Sequence, residues 1–486
     1  MTVHAHPGIV PFFCLALSAC AVGPEYTRPE LPVPERWSTP ATLAEIDAMV
    51  QPRWWTAFGD PGLDALLHAA VAQNLDLKIA AANLEQSWAA ARVATAPLWG
   101  TAALQSNYEK TKSSRRIVEE PSAALREGSA TAAPTLQKHY SLPLQVFYEF
   151  DFWGRLRRGR EAATAEFHAT REDTHAVYLT LLATVAGTYF DIGELDERIA
   201  LAERTRTLEH ETLRIAEKRY AAGTVAQTDV LRVRAEVAQL DGDVIELRRR
   251  RVERQHALAV LLGQPPGTLE VSAKPLRTAI RIPRVVSGLP SSLLARRPDV
   301  RAAEYRLIAA NARIGEATAA FFPTLSLTGE YGYQSRALNN LVSNKSIAWS
   351  INPQLYVPLF DGGKRQGQLH VTRAATEEAV ERYRLTLLRA FEEVENALAA
   401  GFYQAQQQTQ ITLAVDALNT AHAQVRLQYE HGQVSLLDVL DTERGLLAVD
   451  ERALTLHRAR LDTALFLYKA LGGGWEQGEF TGSATH

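Results

Sequence analysis

Two long windows of this chain, residues 144–264 and 359–486, contain no proline, although 22 prolines occur in the sequence. Proline costs about 3 kcal/mol inside a helix, so these are the windows in which long helices can run. Apolar residues recur within them at the coiled-coil interval. Leu181, Val185, Thr188, Ile192, Leu195 and Ile199 step alternately by four and three, as do Val230, Val233, Val237, Leu240, Val244 and Leu247. Leu440, Leu447, Leu454, Leu461 and Tyr468 repeat every seventh position. Such seams bury one stripe of a helix against another. They predict helices at about 156–221, 228–263, 364–430 and 435–471, with shorter ones at about 63–96 and 298–320. A helix of about 65 residues would extend about 100 Å at 1.5 Å per residue, so an elongated molecule is expected.

The segment RYAAGTVAQTDVL (219–231) matches QYEHGQVSLLDVL (428–440) without gaps. Tyr220, Gly223, Val225, Asp229, Val230 and Leu231 recur 209 positions later as Tyr429, Gly432, Val434, Asp438, Val439 and Leu440. Each glycine stands where one helix would end in the left-handed conformation and the next begin. The match extends outward, EFDFWGR (149–155) to PLFDGGKR (358–365) and NLDLKIAAANL (74–84) to RPDVRAAEYRL (297–307). A tandem duplication is predicted, with repeats at 61–267 and 296–475. A proline-containing linker, 268–295, separates them, and a tail follows at 476–486.

Each repeat carries two alternating, strand-like stretches, at about 100–111 and 139–151 and at about 323–335 and 348–360. In TLSLTGEYGY (324–333), Leu325, Leu327, Tyr331 and Tyr333 alternate with Thr324, Ser326, Thr328 and Glu330. About ten residues suffice for a tilted transmembrane strand with an apolar face for lipid and a polar face for a lumen. A periplasmic sheet half buried on helices would show the same alternation. Four strands cannot close a barrel, and an open edge in lipid leaves backbone groups unsatisfied, so several subunits would have to share one. Two copies give eight strands and three give twelve.

The amino-terminal GIVPFFCLALSA (8–19) is too short to span a bilayer and reads as a secretory leader, although MTVHAHP before it has no Lys or Arg. The Leu-Ser-Ala-Cys that closes it is a lipobox, so Cys20 is expected to be acylated and to anchor the mature chain. Ala21, where an Asp would retain a lipoprotein in the inner membrane, favours the outer membrane. The proline-rich segment 20–60 then reads as an extended tether. No run of 18 apolar residues occurs, and no transmembrane helix is expected. A net charge of −3, from 52 basic and 55 acidic side chains, leaves no nucleic-acid footprint. The four arginines at 248–251 would point all round a helix. The 13 histidines fall in no metal-ligand spacing and no nucleophile motif occurs, so no enzyme, metal or cofactor is expected.

The segments CAVGPEYTRPELPVPERW (20–37), WWTAFGDPGLDALL (54–67), LPSSLLARRPDVRAAEYRLIAANARIGEATAAFFPTLSLTG (289–329) and YKALGGGW (468–475) resemble, in that order, the TolC family of outer-membrane efflux channels, in its lipoprotein branch of OprM and NodT. The resemblance implies an α+β fold. A homotrimer would form one 12-strand β-barrel in outer-membrane lipid and a periplasmic tunnel of helical coiled coils. It implies a passive exit duct for small molecules, joined by a periplasmic membrane-fusion (adaptor) protein to an inner-membrane RND transporter. An ATP-driven exporter is the alternative energy source, and a periplasmic coiled-coil scaffold the alternative function. The turns Gly223-Thr224-Val225 and Gly432-Gln433-Val434 are then the expected docking tip. Asp229 and Asp438 would either cap helices or touch the adaptor. Relatives constrict the tip before the second glycine, often with Leu and Asp. Here those positions hold His422 and Arg426, and Leu213 and Glu217 occupy the corresponding places in the first repeat. An ion pair between Glu217 and Arg426 is expected to help close the tip.

Overall fold

The computed structural model describes residues 21–30, 33–38, 53–112, 136–283 and 296–473. The leader with Cys20, parts of the tether, most of the polar loop after residue 112, the end of the linker and the 476–486 tail lie outside the described residues.

The chain divides into two units. The first comprises residues up to Pro29, Gln86–His168 and Tyr305–Glu381; the second comprises Glu30–Glu85, Ala169–Glu304 and the remainder from Arg382. Seven α-helices of more than four residues are described: α1 (Pro61–Gln73), α2 (Leu75–Thr95), α3 (Arg155–Ala221), α4 (Gln227–Leu261), α5 (Pro298–Ala319), α6 (Lys364–Glu430) and α7 (Leu436–Ala470). The four longest lie inside the two proline-free windows. Both α3 and α6 have 67 residues, and both α4 and α7 have 35.

The helix expected over 63–96 is two helices. Asn74 leaves the helical region (φ −56°, ψ 134°), its Oδ1 accepts from Leu77 N at 2.9 Å, and its Nδ2 donates to Leu261 O at 2.9 Å. A side chain that caps the next helix and also ties down the end of α4 offsets the broken backbone bonds.

The first unit holds an antiparallel sheet of β1 (Thr101–Leu104), β2 (Asn107–Lys112), β3 (Leu136–Phe150), β4 (Thr324–Ser335) and β5 (Ile347–Tyr356). β1 and β2 both pair with β3, which pairs with β4, which pairs with β5. The strand expected over 100–111 is interrupted at Gln105 and Ser106 because Pro143, inside β3, has no N–H to give; Gln105 N still donates to Pro143 O at 3.1 Å. On the other side of β3, Pro143 faces Gly332. A Cβ on Gly332 would stand 2.2 Å from Leu142 O, so only glycine fits. β5 stops at Tyr356 rather than near 360, opposite Thr324 where β4 begins. The tether backbone is tied to this unit by Val22 N donating to Trp153 O at 3.0 Å and Asn311 Nδ2 donating to Pro24 O at 3.1 Å.

The second unit is held by a helical core. Trp54, Trp55, Phe58, Leu63 and Leu67 meet Leu182, Val185, Phe190 and Ile192 of α3, Leu258 of α4, and Leu461 and Leu465 of α7. Each such side chain contributes about 1.5–3 kcal/mol on burial. Part of α3 is apolar enough over 18 residues to cross a membrane by composition, yet 61% of that stretch is buried, so its apolar surface is spent on this core. Where α1 begins, Tyr189 Oη donates to Asp60 Oδ2 at 2.6 Å while Asp60 Oδ1 caps Gly62 N at 2.9 Å. Burial, and then that bond, push the Tyr189 phenol far above its usual range.

Candidate functional site

Two features carry chemistry that a soluble helical protein does not need. The first is the sheet, whose register sorts the residues by face. Leu325, Leu327, Gly329, Tyr331 and Tyr333 of β4 stand opposite Leu355, Pro353, Ile351, Trp349 and Ile347 of β5, and opposite Phe150, Tyr148, Val146, Leu144 and Leu142 of β3. Leu104 and Ala102 extend the same face across β1. Directly opposed residues lie on one side of a sheet, so this side is apolar from edge to edge. It is also uncovered, with Trp349 71% and Ile351 66% exposed. The other side carries Thr324, Ser326, Thr328, Glu330, Ser350, Asn352, Gln354 and Gln145, with Gln145 Nε2 donating to Glu330 Oε1 at 2.7 Å. The outer edges of β1, β2 and β5 have no strand partner among the described residues.

The second feature is the pair of turns. Gly223 (φ 75°) and Gly432 (φ 73°) are left-handed, and each helix end closes with the same bonds. Gly223 N donates to Tyr220 O and Thr224 N to Arg219 O, just as Gly432 N donates to Tyr429 O and Gln433 N to Gln428 O, all at 2.9 Å. Space around both glycines is open. The helices that leave the turns start differently. Ser435 and Asp438 form a reciprocal capping box. Bonds from Ser435 hold the Asp438 carboxyl below its ordinary range. At the corresponding place Ala226 offers no side-chain cap to α4, and Asp229 merely sits in the first turn. Capping is thus the observed role of Asp438 and not of Asp229.

Behind the turns, Val233, Val237, Tyr429, Leu436, Val439 and Leu440 form a small core against which Leu213 and Val434 pack. Arg219 joins α3 to α6 here: its guanidinium lies 4.3 Å from the centre of the Tyr429 ring, and its Nη2 donates to Tyr429 O at 2.9 Å.

The expected ion pair between Glu217 and Arg426 is not formed within the chain. Glu217 accepts from Arg234 at 2.9 Å, and the nearest carboxylate contact of Arg426 is Glu430 at 3.8 Å. Glu217 thus pairs with the helix packed alongside, and Arg426 with the next turn of its own helix. His422 is turned inward, and its Nε2 is buried without a hydrogen-bond partner.

Sequence reasoning passed over Glu209 and Glu443, which are buried side by side near the turns. A signal was present. The seam of α3 continues from Ile199 through Ala202 and Arg206 to Glu209 and Leu213, and that of α7 runs Leu436, Leu440, Glu443, Leu447. Each places a carboxyl at a position the heptad reserves for an apolar group.

The sequence profile of the outer membrane efflux proteins matches residues 66–264 and 289–473. The chain is 34% identical over 470 residues to the solvent efflux pump outer membrane protein SrpC of Pseudomonas putida, covering 96% of this chain and 97% of that protein. It is 31% identical over 480 residues to the cation efflux system protein CusC of Escherichia coli O6:H1, covering 96% and 99%. The solved outer-membrane channel OprN superposes with a TM-score of 0.85 at 28% identity, over 94% of this chain and all of that one. The fold, with its two-faced sheet and long helices, is that of an outer-membrane channel, and such proteins are ducts for efflux. This chain belongs to the outer membrane efflux protein family. Its place is the outer membrane.

Proposed function

We propose that three copies of this chain share one 12-strand barrel and form the exit duct of a tripartite efflux system. The observation that carries this reading is the sheet with one bare apolar face and two unpaired edges. Such an edge costs several kcal/mol per unsatisfied group in lipid, and three copies edge to edge satisfy every one, with β1 and β2 serving as a single interrupted strand. The polar face with Gln145 and Glu330 then lines the lumen. Cys20 anchors each subunit to the membrane. The division into repeats at 61–267 and 296–475 is supported by the equal lengths of α3 and α6, and of α4 and α7.

In this reading the ring of turns, Gly223-Thr224-Val225 and Gly432-Gln433-Val434, docks the helical hairpins of a periplasmic adaptor. Open space around both glycines and exposed backbone suit helix-end contacts. The constriction is assigned to the level of Leu213, Glu217, His422 and Arg426, of which Leu213 packs into the core behind the turns and His422 is turned inward. Transport is passive conduction, and an inner-membrane transporter of the RND class supplies the energy and selects the solute. The duct contributes no chemistry of its own.

A photo-crosslinking residue at Val434, irradiated in living cells, tests the docking. Capture of an adaptor encoded beside a proton-driven pump is the expected result. Capture of an ATP-driven exporter's adaptor would reassign the energy source. No adaptor, with the protein recovered in the soluble fraction, would overturn the duct and leave a coiled-coil scaffold.

A further inference from the structure

Beside the turns, charged side chains from four helices converge. Glu209 of α3 lies fourteen residues before Gly223, and Glu443 of α7 eleven residues after Gly432. At 1.5 Å per residue they stand about 21 Å and about 16 Å from their turns, at a similar level of the bundle. Glu209 is 2% exposed and Glu443 6%. The two carboxyl groups lie against one another in the helix contact, and the Oε2 of each is buried without a partner.

The groups that face them come from every neighbouring helix. Glu236 of α4 adds negative charge, and Arg444 of α7 offsets it by bonding Glu236 at 2.6 Å. His422 and Arg426 of α6 bring positive character toward Glu443. Neither guanidinium is given over to the buried pair, since Arg444 is bonded to Glu236 and Arg426 lies beside Glu430 at 3.8 Å.

Two buried carboxyl groups set against one another can bond only when one of them carries a proton. Two bare carboxylates in this position would repel across a water-poor helix contact. The matching positions 209 residues away are Leu418 and Arg234, so the pair takes one carboxyl from each repeat and the duplication does not reproduce it. It bridges the last stretch of α3 to the first stretch of α7, the helices that leave and enter different turns.

We propose that Glu209 and Glu443 hold a single proton between them and act as a pH-dependent clasp that fastens α3 to α7 beside the turns. Burial, followed by the charge of Glu443, pushes the Glu209 carboxyl up to about 8, and burial also raises Glu443. The clasped state therefore binds one proton more than a locally opened state in which both side chains reach water. Clasping is at full strength below the ordinary glutamate pKa, weakens as pH rises, and is lost once pH passes the raised value. Local opening should grow about tenfold per pH unit inside that window and level off above it. A polar pair serving only to fix helix register would show no such slope.

The test uses the intact protein in lipid nanodiscs with no adaptor present, so its outcome is independent of the docking reading. Infrared difference spectra of the wild type should retain a protonated-carboxyl band at pH 7 that bleaches near pH 8, and the E209Q/E443Q double variant should lack it. Hydrogen exchange of peptides covering 205–215 and 439–447, corrected for intrinsic rates, should accelerate by about tenfold per unit between pH 6 and 8 in the wild type. In the double variant the corrected rate should be flat with pH. Absence of the band at pH 7 in the wild type would overturn the proposal without recourse to any variant. So would an identical exchange slope in the wild type and in the single variant E443Q.

Discussion

Removing the Arg219 side chain is the most direct probe of what holds the helix ends together. In R219A two contacts disappear: the stacking over the Tyr429 ring at 4.3 Å and the bond to Tyr429 O at 2.9 Å. The first is worth about 0.5–2 kcal/mol according to solvent exposure, and a hydrogen bond from a charged donor about 1.5–3 kcal/mol. Ordering a long side chain costs up to about 2 kcal/mol and must be set against them. No orphan penalty follows, because Gly432 N continues to donate to the same carbonyl at 2.9 Å. With the full ordering cost the net loss centres on about 1–2 kcal/mol within a range of about 0–3, and the central value is a factor of about 5–30 in the ratio of joined to parted helix ends.

If the duct opens by parting these ends, R219A should raise the open fraction in planar-bilayer recordings by that factor. Cells carrying it should admit vancomycin more readily. R219K keeps a cation over the ring but loses the forked donor, and should fall between. Tyr220, the counterpart of Tyr429, is 45% exposed, so Y220A should leave the open fraction unchanged. An R219A open fraction within twofold of wild type, or an equal rise in Y220A, would refute the reasoning.

Two further expectations concern assembly and the turns. G332V should abolish the oligomer seen on mild-detergent gels, since any Cβ there meets the Leu142 carbonyl at 2.2 Å, whereas G329V should be tolerated because nothing lies within 4 Å. S435A should speed hydrogen exchange in the first turn of α7, while A226S, which sets a serine three residues before Asp229, should slow it in the first turn of α4; equal rates in the parent and A226S would show that the capping box does not transfer.

How much of this was legible in the sequence follows from the range of each interaction. Proline and the heptad act within a few residues, and the four longest helices lie where those local signals put them. Asn74 could not be read as a break, because an asparagine inside a helix costs little by propensity; its bond to Leu261 O, 187 residues away, is what makes a break stable there. The gap between β1 and β2 is likewise imposed from another strand, by Pro143. Choosing a partner for Glu217 or Arg426 required knowing which helix faces turn together, and the repeat offset carries no such information. The buried carboxyls are a different case. The seam that located α3 and α7 runs through Glu209 and Glu443, so their position was written locally even though their contact was not. A charge on an apolar seam has two physical outcomes, neutralisation by a proton or pairing with an opposite charge. The neighbouring guanidiniums of Arg444 and Arg426 lie against other carboxylates and His422 acts on Glu443, so the proton is the outcome proposed for Glu209.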